Sequence, residues 1–472
     1  MIPEILSSRY SSKQINEIWS PKGKIILERE FWIVVMKAQK NIGIEIPESA
    51  IKAYEKVIDY IDMESISKKE KLLRHDVSAR IEEFSKLSGF NNIHIGMTSR
   101  DLTDNVEQLQ IIRSLRLIRI KTIGVLYNLA KWSLKTKDIL LASRTHNVPA
   151  QPTTLGKRLS MFGEEILFAL NRLDHLVENY PIRGLQGAVG TQLDQITLLK
   201  GDKEKVKKLD EQISEHFGCK NFLNSVGQIY PRSLDMETVN ALITLSSGIS
   251  NFAKTMRLMA GQGLASEGFK SGQIGSSAMP HKINARTSER INGLHTILKG
   301  YGTMLAGLSG DQWNEGDVSC SVVRRVALPG SFFASDGQLE GCLTVITEME
   351  FFEKMIANEL KTYLPFVATT KILMESINRG SNREEVYEAI KEHSNKVSIK
   401  LRQGELREND LPKRIADDAR IPLNLNEVED ILDNPQNFYA SAPNQSEKFY
   451  SEVEKWTIRY PESKKIVSEK II

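Results

Sequence analysis

Along residues 155–176 the apolar side chains Leu155, Leu159, Phe162, Ile166, Ala169, Leu173 and Leu176 advance by fours and threes, the spacing that lines one face of an α-helix. Leu242, Leu245, Ile249, Phe252, Met256 and Met259 repeat it, as do Ile291, Leu294, Leu298, Tyr301, Leu305 and Leu308. A mean step of about 3.5 residues keeps each apolar seam on a left-handed supercoil, so these helices are predicted to pack at shallow angles in a bundle. Two more helices fit, from about Asp101 to Leu134 and from about Phe332 to Phe352. Thr98 with Asp101 three residues on is a capping-box pattern that places the first start at Thr98 or Ser99.

Few segments alternate with period two, so the fold class is all-α. The predicted organisation is an amino-terminal domain of shorter helices (1–100), a central bundle of five long helices (101–360) and a polar helical carboxy-terminal domain (361–472). Such long helices expose more apolar surface than one chain readily covers, which predicts self-association through the bundle.

With 472 residues the chain can bury a site. Lys plus Arg number 63 against 60 Asp plus Glu, a formal charge of +3. That balance argues against nucleic acid or an acidic membrane as partner, so any anionic ligand must meet locally placed cations. Three distant cysteines, Cys219, Cys320 and Cys342, follow no metal-ligand spacing and fit a reduced compartment. No window approaches about 18 uninterrupted apolar residues and no signal-like segment opens the chain, so a cytoplasmic protein is expected.

The densest chemistry lies in Gly275–Asn284, GSSAMPHKIN. Gly272 and Gly275 permit turns closed to other residues and Pro280 holds Met279 extended, so successive N–H groups can converge on an oxyanion. Lys282 adds a full charge. A plain linker would also be rich in Gly and Ser, but would rarely interleave Met, Pro, Lys and Asn between two apolar helical segments.

Four of eight histidines stand in turn-rich contexts: His75, His94, His146 and His281. An imidazole titrates near neutrality and suits proton transfer. Arg74, His75 and Asp76 combine a bidentate anion fork, a proton carrier and an acceptor. Thr98 and Ser99 offer hydroxyls and free N–H groups at a helix start, although simple capping would use the same residues. No HxxxH or carboxylate cluster points to a metal, and no cofactor motif is present.

In sequence order, SRY at 8–10, RHD at 74–76, GMTSRD at 96–101, RTHNVPAQPTT at 144–154, QIYPRSLD at 228–235, the GSSAMPHKIN loop, Ser288-Glu289 and Ser321–Arg325 together resemble the fumarase/aspartase superfamily, and within it the adenylosuccinate lyase branch. That resemblance implies elimination of fumarate from adenylosuccinate and from SAICAR by a homotetramer with shared sites, in which lone monomers would be inactive. It implies Ser276 as general base beside Lys282, His146 as general acid, and His75 and Glu289 as orienting groups. Ser277, Asn284, Thr98 and Ser99 would hold the succinyl carboxylates. Arg74, Asp76 and Gln228 would touch substrate, and Arg9, Tyr10, Ser321 and Arg325, with Arg324 as a further cation, would meet the phosphate. Two positions depart from the pattern: Ala285 stands where many members have proline, and Gly316 where many have arginine. The loop alone would equally fit an argininosuccinate lyase-like enzyme, and the helical pattern alone a catalytically silent scaffold.

Overall fold

The computed structural model describes residues 4–268, 279 and 281–469. Five long helices, α1 to α5 in chain order, dominate it: Ser99–Lys135, Leu155–Asn179, Ser233–Gly261, Arg286–Leu308 and Ser319–Glu348. Side-chain contacts fix their directions. Arg100 of α1 meets Ser321 of α5 near both starts, and Trp132 of α1 donates to the Ile346 carbonyl near both ends, so these two helices run parallel. Ser133 near the end of α1 bonds the Gly156 carbonyl at the start of α2, so α2 runs back. Asn292 of α4 bonds Ser250 of α3, and Gly302 of α4 lies against Ile243, which makes that pair antiparallel too.

The predicted helices are present, and Thr98 is the N-cap of α1. One start differs. The fifth helix begins at Ser319, thirteen residues before the predicted Phe332. Its first turns invert the usual polarity, burying Arg324 while Val322 and Val326 stay exposed, and Pro329 sits inside the helix. Tertiary packing overrides a proline that in isolation would end or kink the element.

The connection after α1 is a β-hairpin, β1 (Leu140–Thr145) against β2 (Val148–Thr154), antiparallel. Its two turn residues, His146 and Asn147, have φ of 53° and 61°, the paired positive values that match a tight hairpin to strand twist. Asn147 suits that conformation; His146 is held there by the hairpin. Beyond α5, a smaller apolar cluster is built from residues between Ile372 and Ile431. The helix Ala442–Arg459 returns to the bundle, where Phe449 and Val453 join the main core and Arg459 pairs with Asp174 of α2 at 2.7 Å.

Candidate functional site

The first group of candidates stands at the start of α1. Asp101 accepts from the Thr98 N–H at 2.8 Å, which closes the first turn and leaves Ser99 on its rim. His75 caps the neighbouring helix Asp76–Ser88, its Nδ1 accepting from the Ser78 N–H at 3.2 Å. In the neutral ring the proton is therefore on Nε2, 3.4 Å from Ser99 Oγ, so the exposed edge of His75 is a donor.

Asp76 takes the Val77 N–H at 2.8 Å and faces Arg80 at 3.4 Å and Arg325 at 3.6 Å. Burial disfavours its charge, but Arg80, the Val77 N–H and Arg325 outweigh that effect and hold its pKa below the ordinary value. Arg74, His75, Asp76 and Arg325 line an open cavity of ≈ 350 Å³. It adjoins a cleft of ≈ 450 Å³ between Trp19, Glu28, Arg80 and Pro329, which Asp76 and Arg325 also line.

Under this surface lies a buried ionic floor. Arg324 is 2% exposed; its guanidinium meets Asp235 at 2.7 Å, Glu107 at 2.5 Å and the Tyr230 hydroxyl. Burial opposes its charge, yet Asp235, Tyr230, Glu107 and Asp104 raise its pKa well above normal. Burial likewise opposes ionisation of Glu107, but Arg324, Lys24, Arg232 and Arg100 pull it down to about 2. Arg324 is thus committed to the core, which corrects its reading as a phosphate cation; Arg325, 66% exposed on its side chain, faces the cavity.

Nearby, the Gln228 N–H donates to the Glu315 carbonyl at 2.8 Å, and Ser321 Oγ accepts from Arg100 at 2.8 Å. Gly316 between them has φ of 145°, and a Cβ there would meet Ile229 at 3.1 Å. A side chain there would be strained, which suits glycine where many members have arginine.

His94 stands behind this end, its Nδ1 accepting from Trp32 Nε1 at 3.0 Å. Burial, with a smaller contribution from the His75 charge, depresses its pKa to about 4 against an opposing pull from Asp101. The ring is therefore neutral at pH 7. Because the folded pKa lies below the unfolded one, about 6.5, stability is expected to fall as pH drops from about 6.5 to about 4, by roughly 3 kcal/mol in all. Urea midpoints of wild type and His94→Asn at pH 7.5, 5.5 and 4.5 measure this, since Asn tolerates the φ of 63° and carries no such charge. Equal acid sensitivity of the two proteins would contradict it.

The remaining candidates lie elsewhere. His146 is exposed at the hairpin tip. Arg144 braces that tip by donating to the Asn147 carbonyl at 3.1 Å and pairing with Glu359. A small cavity beneath is lined by Arg144, Asn147, Met161 and Thr255. Lys282 is exposed and Asn284 half-buried just before α4, while Glu289 projects from its first turn. That turn is anchored by Glu267, which accepts from the Thr287 and Ser288 N–H groups at 2.8 and 2.9 Å and from Ser288 Oγ at 3.0 Å. No local pattern marks Glu267, because its partners follow 20 residues later. Ser276 and Ser277 lie outside the described residues. Arg9 is exposed, and Tyr10 packs beside Thr287, Arg290 and Gly337.

These positions form two separated sets. His75, Thr98, Ser99, Gln228, Ser321 and Arg325 cluster where α1 and α5 begin. The hairpin bearing His146 follows the far end of α1, whose 37 residues span roughly 55 Å at about 1.5 Å per residue. Trp132, close to that end, packs edge-on against Phe351 of β4 (Glu350–Phe351), which pairs with β3 (Ala265–Ser266) immediately before Glu267. Lys282 and Glu289 therefore share the His146 end. The candidate side chains of the two ends therefore stand apart within one chain.

Comparison with known proteins identifies the family. A family model described as lyase matches residues 10–299, and one described as adenylosuccinate lyase C-terminus matches residues 365–449. The chain is 32% identical over 449 residues to the adenylosuccinate lyase of Saccharomyces cerevisiae, covering 94% of this chain and 93% of that protein. It is 32% identical over 423 residues to the adenylosuccinate lyase of Schistosoma mansoni, covering 89% and 88%. In fold it matches a 3-carboxy-cis,cis-muconate lactonizing enzyme from Pseudomonas putida with a TM-score of 0.82 at 19% identity, over 96% of this chain and 100% of that one. A fumarate lyase from Mesorhizobium superposes with a TM-score of 0.79, also at 19%, over 94% and 98%. Helical order, both family matches and near full-length identity converge: the chain belongs to the adenylosuccinate lyase family of the fumarase superfamily.

Proposed function

We propose that this lyase eliminates fumarate from adenylosuccinate, giving AMP, and from SAICAR, giving AICAR, as a homotetramer whose sites combine residues of different subunits. The observation that carries the activity is near full-length identity to relatives named adenylosuccinate lyase, with the matching carboxy-terminal segment. Shared sites are supported by the separation of the two half-sites along α1. Self-association is supported by exposed apolar side chains on the bundle helices, among them Met161, Phe168, Ile297 and Met304.

The reaction breaks a C–N bond by β-elimination. A base removes a weakly acidic proton beside a carboxylate, an aci-carboxylate must be stabilised, and the departing nitrogen needs a proton. Ser276 is the base in this reading, its alkoxide sustained by loop N–H groups and Lys282. His146, exposed on a braced tip, is the acid that protonates the nitrogen. Asn284 from one end, Thr98 and Ser99 from the other, and Ser277 hold the succinyl carboxylates. His75 and Glu289 orient the substrate or support His146, and Arg74, Asp76 and Gln228 line the path. Ser321 and Arg325, with Arg9 and Tyr10, receive the phosphate. No step needs a metal or organic cofactor.

Purified protein is expected to release fumarate, followed by ultraviolet absorbance, from adenylosuccinate and SAICAR. Ser276→Ala should lower turnover by roughly 10²- to 10⁴-fold, the usual size of an acid–base contribution. Cleavage of argininosuccinate in place of both purine substrates would refute the reading, and so would full activity of Ser276→Ala.

A further inference from the structure

We propose that Arg100 is a positioning residue that fixes the direction of the Ser321 hydroxyl, an inference that rests on the reading of Ser321 and Arg325 as phosphate-binding groups. Arg100 is the second residue of α1 and is 9% exposed. Its guanidinium is held on three sides. Nη1 donates to Asp104 Oδ1 at 3.1 Å, and Nη2 donates to the Asp317 carbonyl at 3.3 Å and to Ser321 Oγ at 2.8 Å.

A guanidinium carries donors and no acceptor, so Ser321 Oγ accepts in that bond. The hydroxyl has one proton, which must then point away from Arg100. Arg325 follows Ser321 by four residues on the same helix, so both present to one face. An anion that approaches Arg325 thus meets an O–H already turned away from the Arg100 guanidinium, with fewer rotamers to select among on binding.

The brace is itself immobilised. Asp104 also meets Arg232 at 3.0 Å, so the carboxylate that anchors Arg100 belongs to the buried floor. Arg100 further ties the segment before α5, through Asp317, to the first turn of α1 that carries Ser99. One side chain therefore links the surface assigned to the succinyl carboxylates with the surface assigned to the phosphate.

The test uses tetrameric enzyme and two substrates, adenylosuccinate and the same succinylated nucleoside without its 5′-phosphate. Arg100→Met keeps the stem and leaves Asp104 paired with Arg232. It is expected to raise KM for the nucleotide roughly tenfold, the weight of one hydrogen bond to a charged group, with kcat changed less than about twofold. The nucleoside should be turned over as by wild type, and Arg100→Met should add nothing in a Ser321→Ala background.

Additive effects, a kcat loss with unchanged KM, or equal impairment on both substrates would overturn the role of Arg100. So would a neutral Arg100→Met beside a Ser321→Ala that raises KM. A Ser321→Ala that leaves KM unchanged would instead sink the phosphate reading, and this inference with it. Arg100→Lys supplies the same test if the methionine variant fails to assemble, because an ammonium does not reproduce the two-nitrogen fork held between Asp104 and Ser321.

Discussion

Mixing two inactive variants, His75→Ala and His146→Ala, through a cycle of subunit dissociation and reassociation is expected to restore activity. Each variant alone should lose roughly 10²- to 10⁴-fold in turnover. In the folded chain the two histidines belong to opposite ends of a 37-residue helix, too far apart to reach one small substrate. A working site must then draw them from different subunits. Random 1:1 assortment leaves about a quarter of the sites with both wild-type side chains, so recovery should approach about a quarter of wild-type turnover. Fumarate release before and after mixing measures it. No recovery from mixed tetramers, confirmed as mixed by mass, would show that each chain builds its own site. The same reasoning extends to any pair drawn one from each end, for example Arg325 with Glu289.

The helical frame was largely legible because period and capping are local properties. The α1 start could be read from Thr98 and Asp101, since the capping bond spans three residues. The hairpin after α1 was less visible: Pro149 and Pro152 in its second strand look like loop residues, and they are tolerated because each strand of a two-stranded sheet is an edge. The early turns of α5 were hidden by their inverted polarity, with Arg324 inside and Val322 outside. Such inversion follows from distant partners, Asp235 from another helix and Glu107 from α1, which no window of the sequence contains. For the candidate site residues, the motifs single out side chains but not their grouping. That His75, Ser99 and Arg325 share one face while His146 and Glu289 share another depends on helix length and direction. Glu267 and Arg100 act through partners 20 and 221 residues away, beyond any local pattern.

Neighbouring arginines on α5 should fail in opposite ways. Arg324→Met is expected to cost about 3–5 kcal/mol of stability, because it strands Asp235 and Glu107 in a buried floor with fewer cations than before. The carboxylates would have to protonate or admit water, and the starts of α1, α3 and α5 would lose their common tie. Arg325→Gln removes a cation that is 66% exposed and holds Asp76 only at 3.6 Å; surface pairs of that kind are worth about 0–1 kcal/mol. Its unfolding midpoint should stay near wild type, while KM for adenylosuccinate rises by roughly tenfold or more through the lost charge-assisted bond. Urea denaturation at pH 7.5 and steady-state fumarate release, run on both variants, separate the two roles. An Arg324→Met protein of native stability would mean that the floor is not held together by its ion pairs. An Arg325→Gln protein with unchanged KM would show that Arg325 does not carry the phosphate, and would leave Arg74 as the other guanidinium lining the His75 cavity.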